Sequence, residues 1–194
     1  MKPVLRIAIC ALALTAAAAP PPRKDVFDFV PPGGRTLLAG VLSNRASPAE
    51  ARAILGGKHT SDEWLVYLAA HESALPSLKT FDAKKRRTLA DYLAANMPLA
   101  KPPADPAKAA WAKVLPPDGR DFALEKCQGC HIITVVITQD RSKAAWLGTL
   151  HKPSHIGIKL SQPQREALVN YLLVNGAIPI DQVPEELRAG GATY

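Results

Sequence analysis

Proline and helix-capping signals punctuate this chain along its whole length, and they limit it to short helices joined by hard stops. There are 18 prolines in 194 residues. Each one fixes φ and removes a backbone N–H, so neither a long helix nor a central strand builds easily around them. Between the stops, apolar residues recur at helical spacing. Gly34 to Asn44 carries Leu37, Leu38, Val41 and Leu42 on one face. Ser47-Pro48-Ala49-Glu50 and Thr60-Ser61-Asp62-Glu63 read as capping boxes, the second opening a helix with Trp64, Leu65 and Leu68 inward. Asp82 caps a helix to about Asn96, which Met97-Pro98 ends. Asp105-Pro106 opens a short helix through Trp111. Asp118 starts another that runs into Cys127. Ser142 and Ser161 cap two more, holding Trp146, Leu147 and Leu150 in one and Leu168, Tyr171, Leu172 and Leu173 in the other. A last turn of helix is expected over Pro184 to Arg188. No alternating strand pattern competes, so the predicted class is all-α.

The first 19 residues stand apart from this pattern. Lys2 and Arg6 precede the apolar run Ile7 to Ala18, and small residues follow. That is the layout of a secretory signal peptide, and the run is short for a permanent membrane span. Cleavage after Ala17 or Ala18 would discard Cys10. It would leave Cys127 and Cys130 as the only cysteines and lower the formal charge from +7 to +5. The expected location is the periplasm, with no transmembrane span in the mature chain. A modest basic excess favours acidic partners. Aromatics make up only 6% of the chain and no basic stripe is interleaved with them, so nucleic-acid binding is not expected.

Pro98 to Pro106 holds four prolines and reads as a linker. The expected units are therefore 1–19 (signal), 26–97, 98–106 (linker) and 107–194. The two larger ones repeat each other. Arg86, Leu89, Tyr92, Leu93 and Asn96 match Arg165, Leu168, Tyr171, Leu172 and Asn175 at one constant offset. Upstream, Trp64, Leu65 and Leu68 match Trp146, Leu147 and Leu150, and Gly34-Arg35 matches Gly119-Arg120.

The chemistry is concentrated in Cys127-Gln128-Gly129-Cys130-His131, the pattern of c-type haem attachment. Two thiols three positions apart on a helical turn reach both vinyl groups of one haem. The adjacent imidazole then faces the iron as proximal ligand. Gly129 lets the backbone pass close to the macrocycle. A redox dithiol would sit in a βαβ context that is missing here, and a zinc site wants further ligands. One covalent haem c is the expected cofactor. Where the second half carries this motif the first has Leu42 to Ala46, so the first copy is expected to lack haem.

The second half, over about residues 105 to 178, resembles a class I cytochrome c domain. It has Cys-x-x-Cys-His after an N-terminal helix, an apolar middle, and a capped last helix with an aromatic-Leu pair. Arg141-Ser142 and Trp146 are also similar in spacing to cytochrome domains associated with quinohaemoprotein dehydrogenases. The resemblance implies a cytochrome c-like fold, in tandem with a haem-less copy, and a Met as second axial ligand from the loop before the last helix. That loop holds no Met. Outside Met1 the chain has only Met97, before the linker. The loop carries His151 and His155 instead, and His155 falls near the expected Met position. A neutral imidazole is a good iron ligand, so His155 is the expected distal ligand. His151, an open site, Met97 or a Lys are the alternatives. The resemblance also implies a Pro holding the proximal His, and no such Pro lies between His131 and Pro153, which leaves the second nitrogen of His131 without an assigned partner. His71 occupies a place similar to His155 but has no haem motif beside it, and His59 reads as a solvated residue. Lys84-Lys85-Arg86-Arg87 reads as a solvated helix face.

Function follows from the haem. With no acid-base constellation around it, one-electron transfer is expected, and the chain reads as an electron-transfer protein more than a stand-alone enzyme. The degenerate first copy suits a docked subunit of a larger oxidoreductase, a dehydrogenase or another complex, with redox proteins as partners. The alternatives are a gas sensor or haem enzyme with a displaceable sixth ligand, and a structural subunit.

Overall fold

A computed structural model describes residues 25–44 and 46–188. The signal-peptide reading, with Met1 and Cys10, falls outside the described residues. Among those described there are helices and turns and no strands, so the fold is all-α.

The helices begin where the caps predict. Helix α1 spans Gly34–Ser43 and α2 spans Pro48–Gly56, where the Ser47 hydroxyl accepts the Glu50 N–H. Helix α3, Ser61–Ala70, has a complete capping box between Thr60 and Glu63. Helix α4, Ala83–Asn96, is capped by Asp82. The stretch after Asp105 differs from expectation: a 3-10 turn at Pro106–Lys108 is separated from a short α5, Trp111–Val114. The separation lets Trp111 and Leu115 enter the core of the first half. Helix α6, Gly119–Phe122, is capped by Asp118 and continues as a π turn over Ala123–Cys127. Helix α7, Thr134–Ile137, is a single turn built from β-branched residues, α8 is Lys143–Leu150, and α9 is Gln162–Asn175.

Two hydrophobic cores form. The first gathers Leu38, Val41, Ile54, Trp64, Leu68, Leu75, Leu78, Leu89, Leu93 and Met97. The second gathers Phe122, Ile133, Ile137, Trp146, Leu150, Leu168 and Leu172. Each borrows its edge from the other end of the chain. Val30, with Phe27 and Phe29, packs on the second core, while Trp111 and Leu115 pack on the first. The 98–106 segment stays against the first half: the Leu99 N–H donates to the Leu55 carbonyl at 2.8 Å, and Pro106 is buried.

The halves meet along α4 and α9, and they use the same contacts twice. A Cβ added to Gly34 would collide with Cβ of Tyr92 on α4, and one added to Gly119 would collide with Cβ of Tyr171 on α9. Only glycine lets α1 and α6 approach those helices so closely. The Tyr92 hydroxyl donates to the Pro116 carbonyl at 2.8 Å, and the Tyr171 hydroxyl donates to the Pro31 carbonyl at 2.6 Å. Each tyrosine thus ties down the chain entering the other half. Burial raises both phenol pKa values, so these hydroxyls remain donors. The side-chain amides of Asn96 and Asn175 both donate back to the tyrosine carbonyl one turn earlier, and Asn175 also reaches the Thr88 hydroxyl at 2.8 Å.

Asp118 sits at the centre of this joint. Its carboxylate accepts the Asp121 N–H in its own helix and the Arg35 N–H at the start of α1. One side chain therefore caps two helix N-termini. An ion pair between Arg35 and Asp121, 2.7 Å long, closes the same seam.

Candidate functional site

The π turn delivers Cys127 to the wall of a cavity in the second half. After it the chain tightens, with the Cys127 carbonyl accepting the N–H groups of Cys130 (3.1 Å) and His131 (2.9 Å). The Gln128 side chain accepts the Ile133 N–H at 2.6 Å, fixing the exit from the motif. Both thiols are free, Cys127 buried and Cys130 exposed. Burial, aided by the neighbouring Cys130, pushes the Cys127 thiol up to about 11, so it is protonated at neutral pH.

The cavity measures about 620 Å³, within the roughly 300–1,000 Å³ of sites for drug-sized ligands. Cys127, Cys130 and His131 line one side, and His155 faces them. Apolar Val135, Val136, Leu150, Ile158, Leu168 and Leu172 form much of the remaining wall. The His131 and His155 rings stand 6.2 Å apart, centre to centre, tilted by 32°. Two metal–imidazole bonds of about 2 Å, plus about 1 Å from each nitrogen to its ring centre, span about 6 Å. That separation leaves room for one metal ion between the two rings. His155 Nδ1 lies 3.1 Å from the Ser154 hydroxyl, which leaves Nε2 available. Among the described residues, no hydrogen bond involves either ring nitrogen of His131.

The other candidates lie elsewhere. His151 is the C-cap of α8, its Nδ1 bonded to the Leu147 carbonyl at 2.6 Å, and it does not line the cavity. Met97 is buried in the first core. His71 turns out to parallel His151 more than His155: it is the C-cap of α3 and bonds the Tyr67 carbonyl four residues back. It also stacks on Tyr67 at 3.9 Å, while exposed His59 meets the edge of Trp64 at 4.7 Å. The Lys84–Arg87 run is only partly a solvated face. Arg86 turns inward to the Phe81 and Leu78 carbonyls and to Glu72, and Arg87 pairs with Asp62 and Asp91.

Two features of the cavity were missed as site residues. Trp146 lines the cavity with its ring, while its indole N–H is buried without a partner, as is that of Trp64 in the first half. Arg141 lies over that indole, 5.4 Å from the ring centre, and donates to the Thr149 hydroxyl at 2.8 Å. Arg141 brings a positive charge to one end of the cavity, a setting for an anionic group. The spacing of Arg141 and Trp146 was the available signal. No helix among the described residues is long and apolar enough to cross a membrane. Compared with known proteins, the chain matches no family model, no curated protein and no solved structure.

Proposed function

We propose that the chain is a c-type cytochrome: an exported, periplasmic electron-transfer protein with one covalent haem, working as a subunit of a larger oxidoreductase. The observation that carries this reading is the cavity itself. Two thiols and one imidazole line one wall, and a second imidazole stands 6.2 Å away, centre to centre. The lining residues suit a haem. Cys127 and Cys130 would hold its vinyl carbons as thioethers, and His131 and His155 would ligate the iron. The apolar walls would pack its faces, and Arg141 would receive a propionate.

When bound, the haem supplies a reversible one-electron couple. The chain's residues do the rest. His131 and His155 would hold the iron, and the apolar walls would keep water from the haem. Next to His155 in the chain, Ile156 is 82% exposed, with exposed Lys152 and Lys159 on either side in sequence. An exposed apolar residue among lysines suits docking of an acidic redox partner.

We also read the two halves as copies of one ancestral cytochrome c-like domain, the first without haem. The paired Gly–Tyr contacts, the reciprocal Tyr–Pro carbonyl bonds and the two buried tryptophans with orphaned N–H groups support this. In the first half Leu75 and Leu78 fill the core from the loop that corresponds to the His155 loop. The experiment is a spectral and redox titration of the exported protein. A one-electron couple with a covalently retained haem supports the reading, and a chain purified without haem from a host competent in haem attachment contradicts it.

A further inference from the structure

We propose that Arg165 is a positioning residue that pins both ends of the His155 loop and so governs how readily the sixth iron position opens to small neutral ligands. This rests on the haem reading above and adds a control to the same site. Little in the loop itself holds it in place. From His151 to Lys159 no residue is fully buried, and Ile158 alone of them packs, half-buried, against the second core. Its backbone hydrogen bonds are local: Lys152 to Thr149, His155 to Lys152, Ile156 to Pro153, and Ile158 to His155. Such a segment has little apolar anchorage and opens at small cost.

Arg165, in the first turn of α9, supplies the missing anchorage. Its Nε donates to the Leu160 carbonyl (3.2 Å), one terminal nitrogen to the Leu150 carbonyl (2.8 Å) and the other to the Ile158 carbonyl (3.1 Å). One guanidinium thus grips the chain before the loop and twice at its end, a planar fork that an ammonium group cannot reproduce. His155 lies between the gripped points, and among the described residues Ser154 is the one side chain hydrogen-bonded to its ring. The first half makes the contrast. Arg86 bonds the Phe81 and Leu78 carbonyls in the same way, but there Leu75 and Leu78 are fully buried and hold the loop without it.

The test uses haem-loaded protein: wild type, Arg165→Gln, Arg165→Lys, Arg86→Gln and His155→Ala. The readouts are carbon monoxide titration of the ferrous form, imidazole titration of the ferric form, and urea unfolding. A protein ligand that lets go more often raises the apparent affinity of any competitor in proportion. Losing hydrogen bonds from a charged donor should raise carbon monoxide affinity about tenfold in Arg165→Gln. Arg165→Lys should recover little of that change. Arg86→Gln should lose stability yet bind carbon monoxide as wild type does. Equal changes in Arg165→Gln and Arg86→Gln would overturn the clamp, and so would no change in either Arg165 variant. Wild type that binds carbon monoxide as tightly as His155→Ala would overturn both the clamp and the ligation by His155. A wild-type chain that holds no haem would overturn the haem reading and the clamp with it.

Discussion

Replacing Gly119 by Ala adds one methyl group where there is no room for it. The new Cβ would overlap Cβ of Tyr171 and the Ala167 carbonyl oxygen, and would sit 3.1 Å from Tyr171 Cγ. Two of these neighbours are backbone or directly attached to it, so neither can swing away. Helix α6 must back off from α9, which opens the seam that Tyr171 and Asp118 hold shut. Overpacking of this kind costs about 1–3 kcal/mol. For a chain of this length that is a fall in Tm of roughly 2–12 °C. Gly34→Ala meets Tyr92 in the same way and should cost a similar amount. The controls are Gly40→Ala and Gly148→Ala, helical positions with no atom within 4 Å. There the methyl group only improves helix propensity, by about 0.5–1 kcal/mol. Urea unfolding of the four variants measures the contrast. If Gly119→Ala is as stable as wild type, the close crossing of α6 and α9 is wrong, and with it the account of how Cys127 is brought to the cavity.

Other outcomes follow from the site and the seam. His155→Ala should open the sixth position to carbon monoxide and lower-affinity ligands, while His151→Ala, remote from the cavity, should leave the spectrum nearly unchanged; absorption titration decides, and the reverse result moves ligation to His151. The oxidised wild type should lack the far-red band of iron–sulfur ligation, and its potential should lie below that of His/Met cytochromes, because two imidazoles favour ferric iron more than a thioether does; a potential in the His/Met range would contradict this. Burial, with the Asp121 charge beside it, raises the Asp118 carboxyl above the usual carboxylate range, against the pull of three backbone hydrogen bonds. A raised folded value means a contribution present below about pH 4 and lost as pH rises through the folded value. Stability measured by urea unfolding should therefore fall from acid toward neutral pH relative to Asp118→Asn, and parallel profiles for the two proteins would refute it.

What was legible in the sequence was what is local. Ser47, Thr60, Asp82, Asp118, Ser142 and Ser161 mark helix starts because a cap satisfies N–H groups within the next three residues. The Cys127–His131 motif is equally local. Helix α7 was not legible, because Thr134-Val135-Val136-Ile137 favours a strand on propensity alone. Burial of Ile133, Thr134 and Ile137, and the Thr134 hydroxyl bonded to the Leu187 carbonyl at 2.6 Å, override that preference. The exchange of core edges was also hidden, since nothing near Val30 or Trp111 says which core will take it. Yet its signal was present: Pro31-Pro32-Gly33-Gly34-Arg35 repeats as Pro116-Pro117-Asp118-Gly119-Arg120. Arg165 reads as an ordinary surface residue of an amphipathic helix. Its inward grip depends on where three distant carbonyls end up, and spacing does not carry that information.

Covalent attachment of haem through Cys127 and Cys130 is the central claim, and acid-acetone extraction followed by intact-mass measurement tests it most directly. The exported wild-type protein should keep its colour through extraction and weigh one haem more than its polypeptide, while Cys127→Ala, Cys130→Ala double variants should lose both. A wild-type chain that surrenders all its haem to the solvent, or that never carried it, would contradict the account.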